Sequence, residues 1–489
     1  MSQNLNKESG WFLGRSTLWG VSVAVALCFT LIGLYSMGLL PLELVLVASI
    51  VPLLLWWFSN RQELLLLTVI AAYFAGGYFS ASLVAGGLLR SLFLAMILLV
   101  LLWKLGAKKV IRRISTPLDK IIWIWSAIIL LSLIYGFYFK HNESRYLIGD
   151  LYKFIEIFLV FWLTTFMVKN DKQARSLIWG FFVIALVFGG IDSIAFFGRF
   201  LLVGSALLAR VRAAAQFSSL FAFILTISLI LHEKRGPIKT VLVVLGFGFL
   251  ISFLLTFLRT GYIAIPPALI FIFLLYWYKN RGHALGGVMR FAIFLLCLLI
   301  LVVAVDLALT TLGFNIEIIE ASFVRLESLI NPTSSEPMGV RTLELKSIIS
   351  QVLAHNPLLG NGLGGEYYSA TLVEEELEWG IKHYVHNNYF DFIVRTGILG
   401  FIVFIVLAIK YLKDAIRFYL KSENSFYQGV ILGCIGIFIS SSIIALSTSI
   451  LYSPFLFMMM AVTYCIASIE ERKDVKGNLS DSEPGRLSI

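Results

Sequence analysis

Arg259 lies in the run Leu255-Thr-Phe-Leu-Arg-Thr-Gly-Tyr262, between two strongly apolar segments. A guanidinium near membrane depth costs several kcal/mol unless it is paired or faces a wet cavity, so its presence points to function; the bland alternative is an arginine snorkelling to the interface. Arg210 and Arg212 precede another apolar run, in Ala209-Arg-Val-Arg-Ala-Ala-Ala-Gln-Phe217. Three arginines flanking two such segments suit a diphosphate, because guanidinium groups bind phosphate oxygens bidentately and stay charged at any working pH.

Of the six histidines, only His383 and His386 sit in a loop that leads into an apolar helix on the same side as those arginines. Their spacing of three puts them on one side if the stretch is helical. A zinc pair lacks a third ligand at metal-site spacing. A single histidine acting as base or hydrogen-bond partner is the better reading, since imidazole titrates near working pH. The chain has no Asp-x-Asp pair, the usual divalent-metal clamp for a diphosphate leaving group, so arginines would have to neutralise that charge. The acidic run Glu374, Glu375, Glu376 and Glu378 reads as a solvated helix face, with calcium or acceptor binding as the alternative. Asp150, Lys153 and Glu156, spaced three apart inside an apolar segment, read as a structural ion network, with a cavity lining as the alternative. Cys28, Cys297, Cys434 and Cys465 all lie in apolar runs and behave as small hydrophobes.

The elements that must position these groups are membrane helices. Of the 489 residues, 59% are apolar and 14% charged, against about 25% charged in a typical globular protein. The apolar residues form runs of roughly 20, the length that crosses about 30 Å of hydrocarbon. This excludes a soluble enzyme, and the solid rather than alternating runs exclude an outer-membrane barrel. Candidate spans fall near 16–34, 39–58, 62–83, 87–103, 121–138, 147–168, 176–198, 213–231, 240–257, 261–278, 291–310, 390–409, 427–446 and 450–469. Twelve to fourteen helices is the expected range, with the pair around Arg259 kinked or shortened by Pro266-Pro267. The first run has no cleavage site after it and reads as a retained span.

Most of the 39 Lys and Arg residues fall in one set of alternate connections, which also contains both termini. That face is expected in the cytoplasm, so the net charge of +10 reflects orientation and not nucleic-acid binding. Arg210, Arg212, Arg259 and Arg395 then lie on the outer side. So does the long connection 311–389, where Phe314–Ile330, Arg341–Ala354 and Glu366–Trp379 are spaced as helices. The expected organisation is a membrane bundle of about eleven helices over 1–310, a helical extracytoplasmic loop over 311–389, further membrane helices over 390–469 and a polar cytoplasmic tail over 470–489.

Leu258-Arg-Thr-Gly261 resembles the Ser-Arg-Gly element of the O-antigen ligase and Wzy-type polymerase superfamily. Val340-Arg341 followed by Pro357-Leu-Leu-Gly-Asn-Gly-Leu-Gly364 is similar to that family's arginine and glycine-rich turn. Val385-His-Asn-Asn-Tyr389, followed by Arg395-Thr-Gly-Ile-Leu-Gly400, resembles its His-Asn plus Gly-x-x-Gly signature, with Arg395 where Glu is common. Arg212 with Phe217 is similar to a further element, with Ala215 and Leu220 in place of Gly and Pro.

The resemblance implies an all-α polytopic membrane protein of GT-C-like architecture in the bacterial inner membrane, with both termini cytoplasmic. The implied activity is transfer or polymerisation of glycan from an undecaprenyl-diphosphate-linked donor on the outer side, in lipopolysaccharide or exopolysaccharide assembly. His386 and Arg259 would be catalytic, Arg210, Arg212, Arg259 and Arg341 would bind the diphosphate, and His383 and Asn387 would be candidate acceptor or loop contacts. No cofactor or metal is implied. The implied partners are the lipid-linked donor, a glycan or lipid acceptor, membrane lipids and other polysaccharide-assembly proteins, with no nucleic acid. A lipid-linked oligosaccharide flippase and a protein O-oligosaccharyltransferase are the alternatives.

Overall fold

A computed structural model describes residues 62–75, 113–203, 216–280, 337–373 and 376–481, with isolated helical positions at 303, 307 and 311. The helices are α1 (Gln62–Ala75), α2 (Leu118–Tyr138), α3 (Ser144–Met167), α4 (Asp171–Val203), α5 (Gln216–His232), α6 (Gly236–Leu254) and α7 (Arg259–Lys279). After them come α8 (Pro337–Ile348), the strands β1 (Tyr367–Val373) and β2 (Glu376–Lys382), then α9 (Asn388–Lys421), α10 (Ser425–Ile444) and α11 (Pro454–Asp481). The spans expected near 16–34, 39–58, 87–103 and 291–310, and the loop segment Phe314–Ile330, lie outside the described residues.

Seven of the described helices are long and apolar enough to cross a membrane, including α2, α6, α7, α9 and α10. The chain is a mostly helical, multi-pass membrane protein. α3 also has spanning length but carries Asp150, Lys153 and Glu156. Side-chain contacts sort the helix ends into two rims. At one rim Lys279 Nζ donates to the Tyr419 and Ser422 carbonyls at 2.5 and 2.6 Å, and Arg175 lies 4.2 Å from the Phe426 ring centroid. At the other, the Asn388 amide donates to the Ala445 carbonyl and its side chain accepts from the Leu451 amide, both at 2.8 Å.

The helices approach closely where the sequence is small. A Cβ at Gly429 would lie 3.0 Å from Leu229 Cα, and one at Gly433 would lie 3.1 Å from Leu225 Cα, so α10 packs antiparallel against α5 almost backbone to backbone. Below the loop rim, buried Trp125 of α2 gathers Phe154 and Phe158 of α3 and Phe392 and Phe404 of α9, with ring centroids 5.4–5.7 Å away. Such aromatic packing contributes beyond the area it buries.

The connection before α9 corrects part of the expected loop. Pro337–Ile348 is helical and continues as a π-helical turn over Ile349–Leu353, as the spacing of Arg341–Ala354 suggested. The described residues of Glu366–Trp379 are not helical: β1 and β2 pair antiparallel, in a register that runs from Tyr367 opposite Lys382 to Val373 opposite Glu376. The loop is therefore part helix and part β-hairpin. Two causes favour strands here. Tyr, Thr and Val dominate Tyr367–Val373, and in a helix Glu374 and Glu378 would stand as a repelling i, i+4 pair.

α9 is broken near its start. Gly397 adopts φ 66° and ψ −169°, a conformation costly for any side-chain-bearing residue. The break takes its hydrogen bonds from the glycine-rich turn. The Pro357 carbonyl accepts from the Ile398 amide at 2.8 Å, and the Asn361 amide donates to the Val394 carbonyl at 2.8 Å. The turn is held in place from its other side by α2. Gly362, at φ 76°, faces Gly136 so closely that a Cβ would lie 2.7 Å from the Gly136 Cα and N. Asn142 Nδ2 then donates to the Leu363 carbonyl at 2.7 Å.

Gly362→Ala combines an unfavourable backbone conformation with a backbone clash and is expected to destabilise by ~1–3 kcal/mol. The measurement is the temperature at which the detergent-solubilised protein loses its monodisperse peak. Gly248→Ala, where an added Cβ meets nothing within 4 Å, should leave that temperature unchanged.

Candidate active site at the loop rim

Val340, Glu344, Ser347 and Ile348 form the buried stripe of α8, with the i, i+4, i+7, i+8 spacing of a helix face against a core. Their neighbours Tyr367, Val385 and Val394 complete a small apolar cluster with Ile348 and Val352. Glu344 is the charged member of this stripe, and its side chain is 1% exposed. A buried carboxylate needs partners. The Tyr367 hydroxyl donates to its Oε1 at 2.6 Å. His386 Nδ1 lies 3.1 Å from its Oε2, and the His386 backbone amide lies 3.4 Å from the same oxygen.

Burial alone would raise the Glu344 pKa, but hydrogen bonds from His386 and Tyr367, and then the charges of His386 and Lys382, outweigh it and hold the carboxyl below its ordinary value. Burial and the adjacent Glu344 charge push the Tyr367 phenol far above its own, so it remains a donor. Burial lowers the Lys382 pKa, with Glu344 opposing the change. An ionised carboxylate only accepts hydrogen bonds, which places the imidazole hydrogen on His386 Nδ1. In the neutral ring Nε2 is then left with a lone pair, and the His386 side chain is 37% exposed. The Tyr384 ring meets the imidazole edge to face at 5.1 Å.

The segment 383–387 is not helical, so the two histidines do not share a face; each has its own neighbours. His383 stacks on Tyr146 of α3 with ring centroids 3.6 Å apart, and its Nε2 is 3.8 Å from Glu366 Oε2. Among the described residues no three His, Cys, Asp or Glu side chains converge as metal ligands. Asn387 caps α9: its Oδ1 accepts from the Tyr389 and Phe390 amides at 3.0 and 3.2 Å, and its Nδ2 donates to the Leu446 carbonyl at 3.1 Å. Such a cap typically contributes ~1 kcal/mol.

Arg341 stands one turn before Glu344 on α8 and is half-buried. Arg259 is the first residue of α7, after a tight turn in which Phe257 has φ 49°. Gly261 permits that turn to close, since a Cβ there would lie 2.6 Å from the Phe253 ring. Because Lys279 at the other end of α7 is fixed at the opposite rim, and 21 helical residues span ~30 Å, Arg259 is at the rim of His386. Arg210 and Arg212 lie outside the described residues.

Asp150 and Lys153 pair at 3.0 Å, as expected of an ion network in α3. Arg395, expected on the same side as Arg259, is buried: its side chain is 1% exposed and lies 2.9 Å from Asp150 and 3.4 Å from Asp391. Sequence reading missed Glu344. The available signal was a lone acid on the apolar stripe of α8, one turn after Arg341.

Because the Glu344 pKa is depressed on folding, the stabilisation that it contributes is fully present above the ordinary carboxylate value of 4.5 and is lost as pH falls through the lower folded value. Glu344→Gln should therefore reduce the fall in thermal stability of the protein on acidification below that pH, as read by melting curves across the acid range.

The family model Wzy_C, described as O-antigen ligase, matches residues 241–405. The matched stretch runs from α6 through the hairpin into α9 and so contains Arg259, Arg341, Glu344, His383, His386, Asn387 and Arg395. No curated protein matches the chain. The family's substrates are lipid-linked glycans. With its apolar helices and this matched stretch, the chain carries a domain of the Wzy_C O-antigen ligase family and is a membrane glycosyltransferase of the O-antigen ligase and polymerase type.

Proposed function

We propose that the protein transfers or polymerises glycan from an undecaprenyl-diphosphate-linked donor on the outer side of the cytoplasmic membrane, without a metal ion. The observation that carries this reading is the Glu344–His386 pair, which leaves Nε2 available at the rim where Arg259 begins α7. The donor's isoprenoid lies along the bundle. Its diphosphate meets Arg259 and Arg341, together with Arg210 and Arg212, and its sugar enters beneath the loop. His383 and Asn387 act by shaping the loop around the acceptor.

In the reaction the acceptor hydroxyl oxygen attacks the anomeric carbon and its proton passes to His386 Nε2. The bond from that carbon to the diphosphate oxygen breaks, and its electron pair leaves with the diphosphate. Direct displacement inverts the anomeric configuration. Glu344 fixes the tautomer and stabilises the imidazolium that forms, as a buried carboxylate does for a histidine base. The guanidinium groups stabilise charge developing on the leaving group, which is where preorganised donors contribute most.

The outer placement rests on the charge bias. Lys169, Lys172, Arg175, Lys234, Arg235, Lys239, Lys279, Lys413, Arg417 and Lys421 belong to the connections and helix ends opposite the His386 rim, and basic residues favour the cytoplasmic side. The 1–310 bundle, the 311–389 loop, the 390–469 helices and the cytoplasmic 470–489 tail follow from the same assignment.

His386→Ala should lower kcat by ~10²–10⁴ through loss of the base, and Arg259→Ala should lower kcat/KM by ~10² or more through loss of charge stabilisation. Both are measured as glycan transfer in membranes supplied with donor already on the outer leaflet, with insertion and monodispersity unchanged. Full activity in either variant removes that residue from the mechanism. EDTA should leave the transfer rate unchanged, and loss of activity restored by a divalent ion would overturn the metal-free reaction.

A further inference from the structure

Arg395 is placed in a way that neither the diphosphate chemistry nor the histidine base uses. It stands in the short first segment of α9, two residues before the break at Gly397, with its side chain 1% exposed. Its Nε lies between two carboxylates, 2.9 Å from Asp150 of α3 and 3.4 Å from Asp391 one turn earlier. Its remaining nitrogens bond to backbone. One Nη donates to the Gly365 carbonyl at 2.7 Å, and the other donates to the His383 carbonyl. Gly365 is two residues before β1 and His383 is the residue after β2. One guanidinium therefore holds both feet of the hairpin and ties them to two membrane helices.

The surrounding charges balance. Asp150 and Asp391 face Arg395 and Lys153, the latter 3.0 Å from Asp150. Asp150 also accepts from the Gly364 amide at 2.9 Å, so the carboxylate grips the same foot that the guanidinium does. The planar fork of a guanidinium lets it hydrogen-bond two carbonyls while its charge faces two carboxylates; an ammonium is a point charge on a flexible stem. The foot at His383 is three residues from His386, whose ring must keep its Nδ1 on Glu344 of α8.

We propose that Arg395 is a positioning residue: it fastens the β-hairpin to the membrane bundle and so holds His386 where its Nε2 meets the acceptor. This rests on the reading of His386 as the base. Arg395 touches no reacting atom; it acts through the two carbonyls and the segment between them and His386. Displacement of a catalytic group by ~1 Å costs about 10²-fold in rate, so loosening the hairpin feet reduces turnover while the lipid donor, bound elsewhere, is held as before.

The test is Arg395→Lys in the full-length protein in lipid nanodiscs, with amide hydrogen exchange as the first readout. Exchange in 366–386 should rise by ~10-fold or more, because its local opening is no longer resisted, while 425–444 of α10 exchanges as in the wild type. In membranes carrying their own lipid-linked glycan, kcat should fall by ~10² with KM for the donor changed less than about threefold. Unchanged exchange in 366–386, or equal loosening of 366–386 and 425–444, overturns the proposal, the second because it shows a general loss of structure. Should the lysine variant fail to insert, Asp391→Asn with Arg395→Gln removes one charge of each sign at similar volume and is read in the same way. His386→Ala separates the two ideas. It should lower kcat by ~10²–10⁴ with hairpin exchange unchanged, and if transfer stays at the wild-type rate, the base assignment falls while exchange in Arg395→Lys still decides the clamp.

Discussion

Opening a helix inside an apolar bundle exposes amide and carbonyl groups that lipid cannot satisfy, so the protein must supply every partner. At Gly397 it does so with the turn 357–361, whose carbonyls and amide exchange hydrogen bonds with α9 on both sides of the break. Much of the rim follows from that constraint. The turn is fixed by α9 and by the close approach of Gly362 to Gly136, the chain leaves it toward the hairpin, and the hairpin returns it to His386 at the start of the same broken helix. The two glycine-bearing segments, 357–364 and 397–400, are thus parts of one joint.

Charge is buried at two levels at this rim, and each is paired differently. Glu344 is surrounded by donors: a phenol, an imidazole and a backbone amide. Donors stabilise an ionised carboxylate more than burial destabilises it, and the imidazole is oriented as a consequence. The Asp150–Arg395–Asp391 cluster lies among charges of both signs and among backbone carbonyls. Breaking such a buried pair by removing one partner typically costs ~3–5 kcal/mol, which makes it a strong tether between the membrane bundle and the loop above it. In the reading proposed above, the first level serves the reaction and the second holds the first in register.

The helical class, the membrane location and the family resemblance were legible from composition and motif. Apolar runs of about 20 residues leave few other structures open, because only helices satisfy their own backbone within lipid. Lys and Arg positions separated the two rims without coordinates. The hairpin was not legible, because Glu366–Trp379 has a mixed pattern that fits either period, and the choice depended on Tyr367 reaching the α8 core. The burial of Arg395 between Asp150 and Asp391 was not legible either, since position along the chain gives depth but not the direction of a side chain.

By itself, then, the sequence determined the helical membrane class and the family resemblance, since hydrophobic length and motif are local along the chain. Tertiary structure alone decided which side chains meet. Glu344 lies 42 residues from His386, and Asp150 lies 245 residues from Arg395 (395 − 150). No local pattern encodes such pairs, because each depends on where distant helices and a hairpin come to rest against one another.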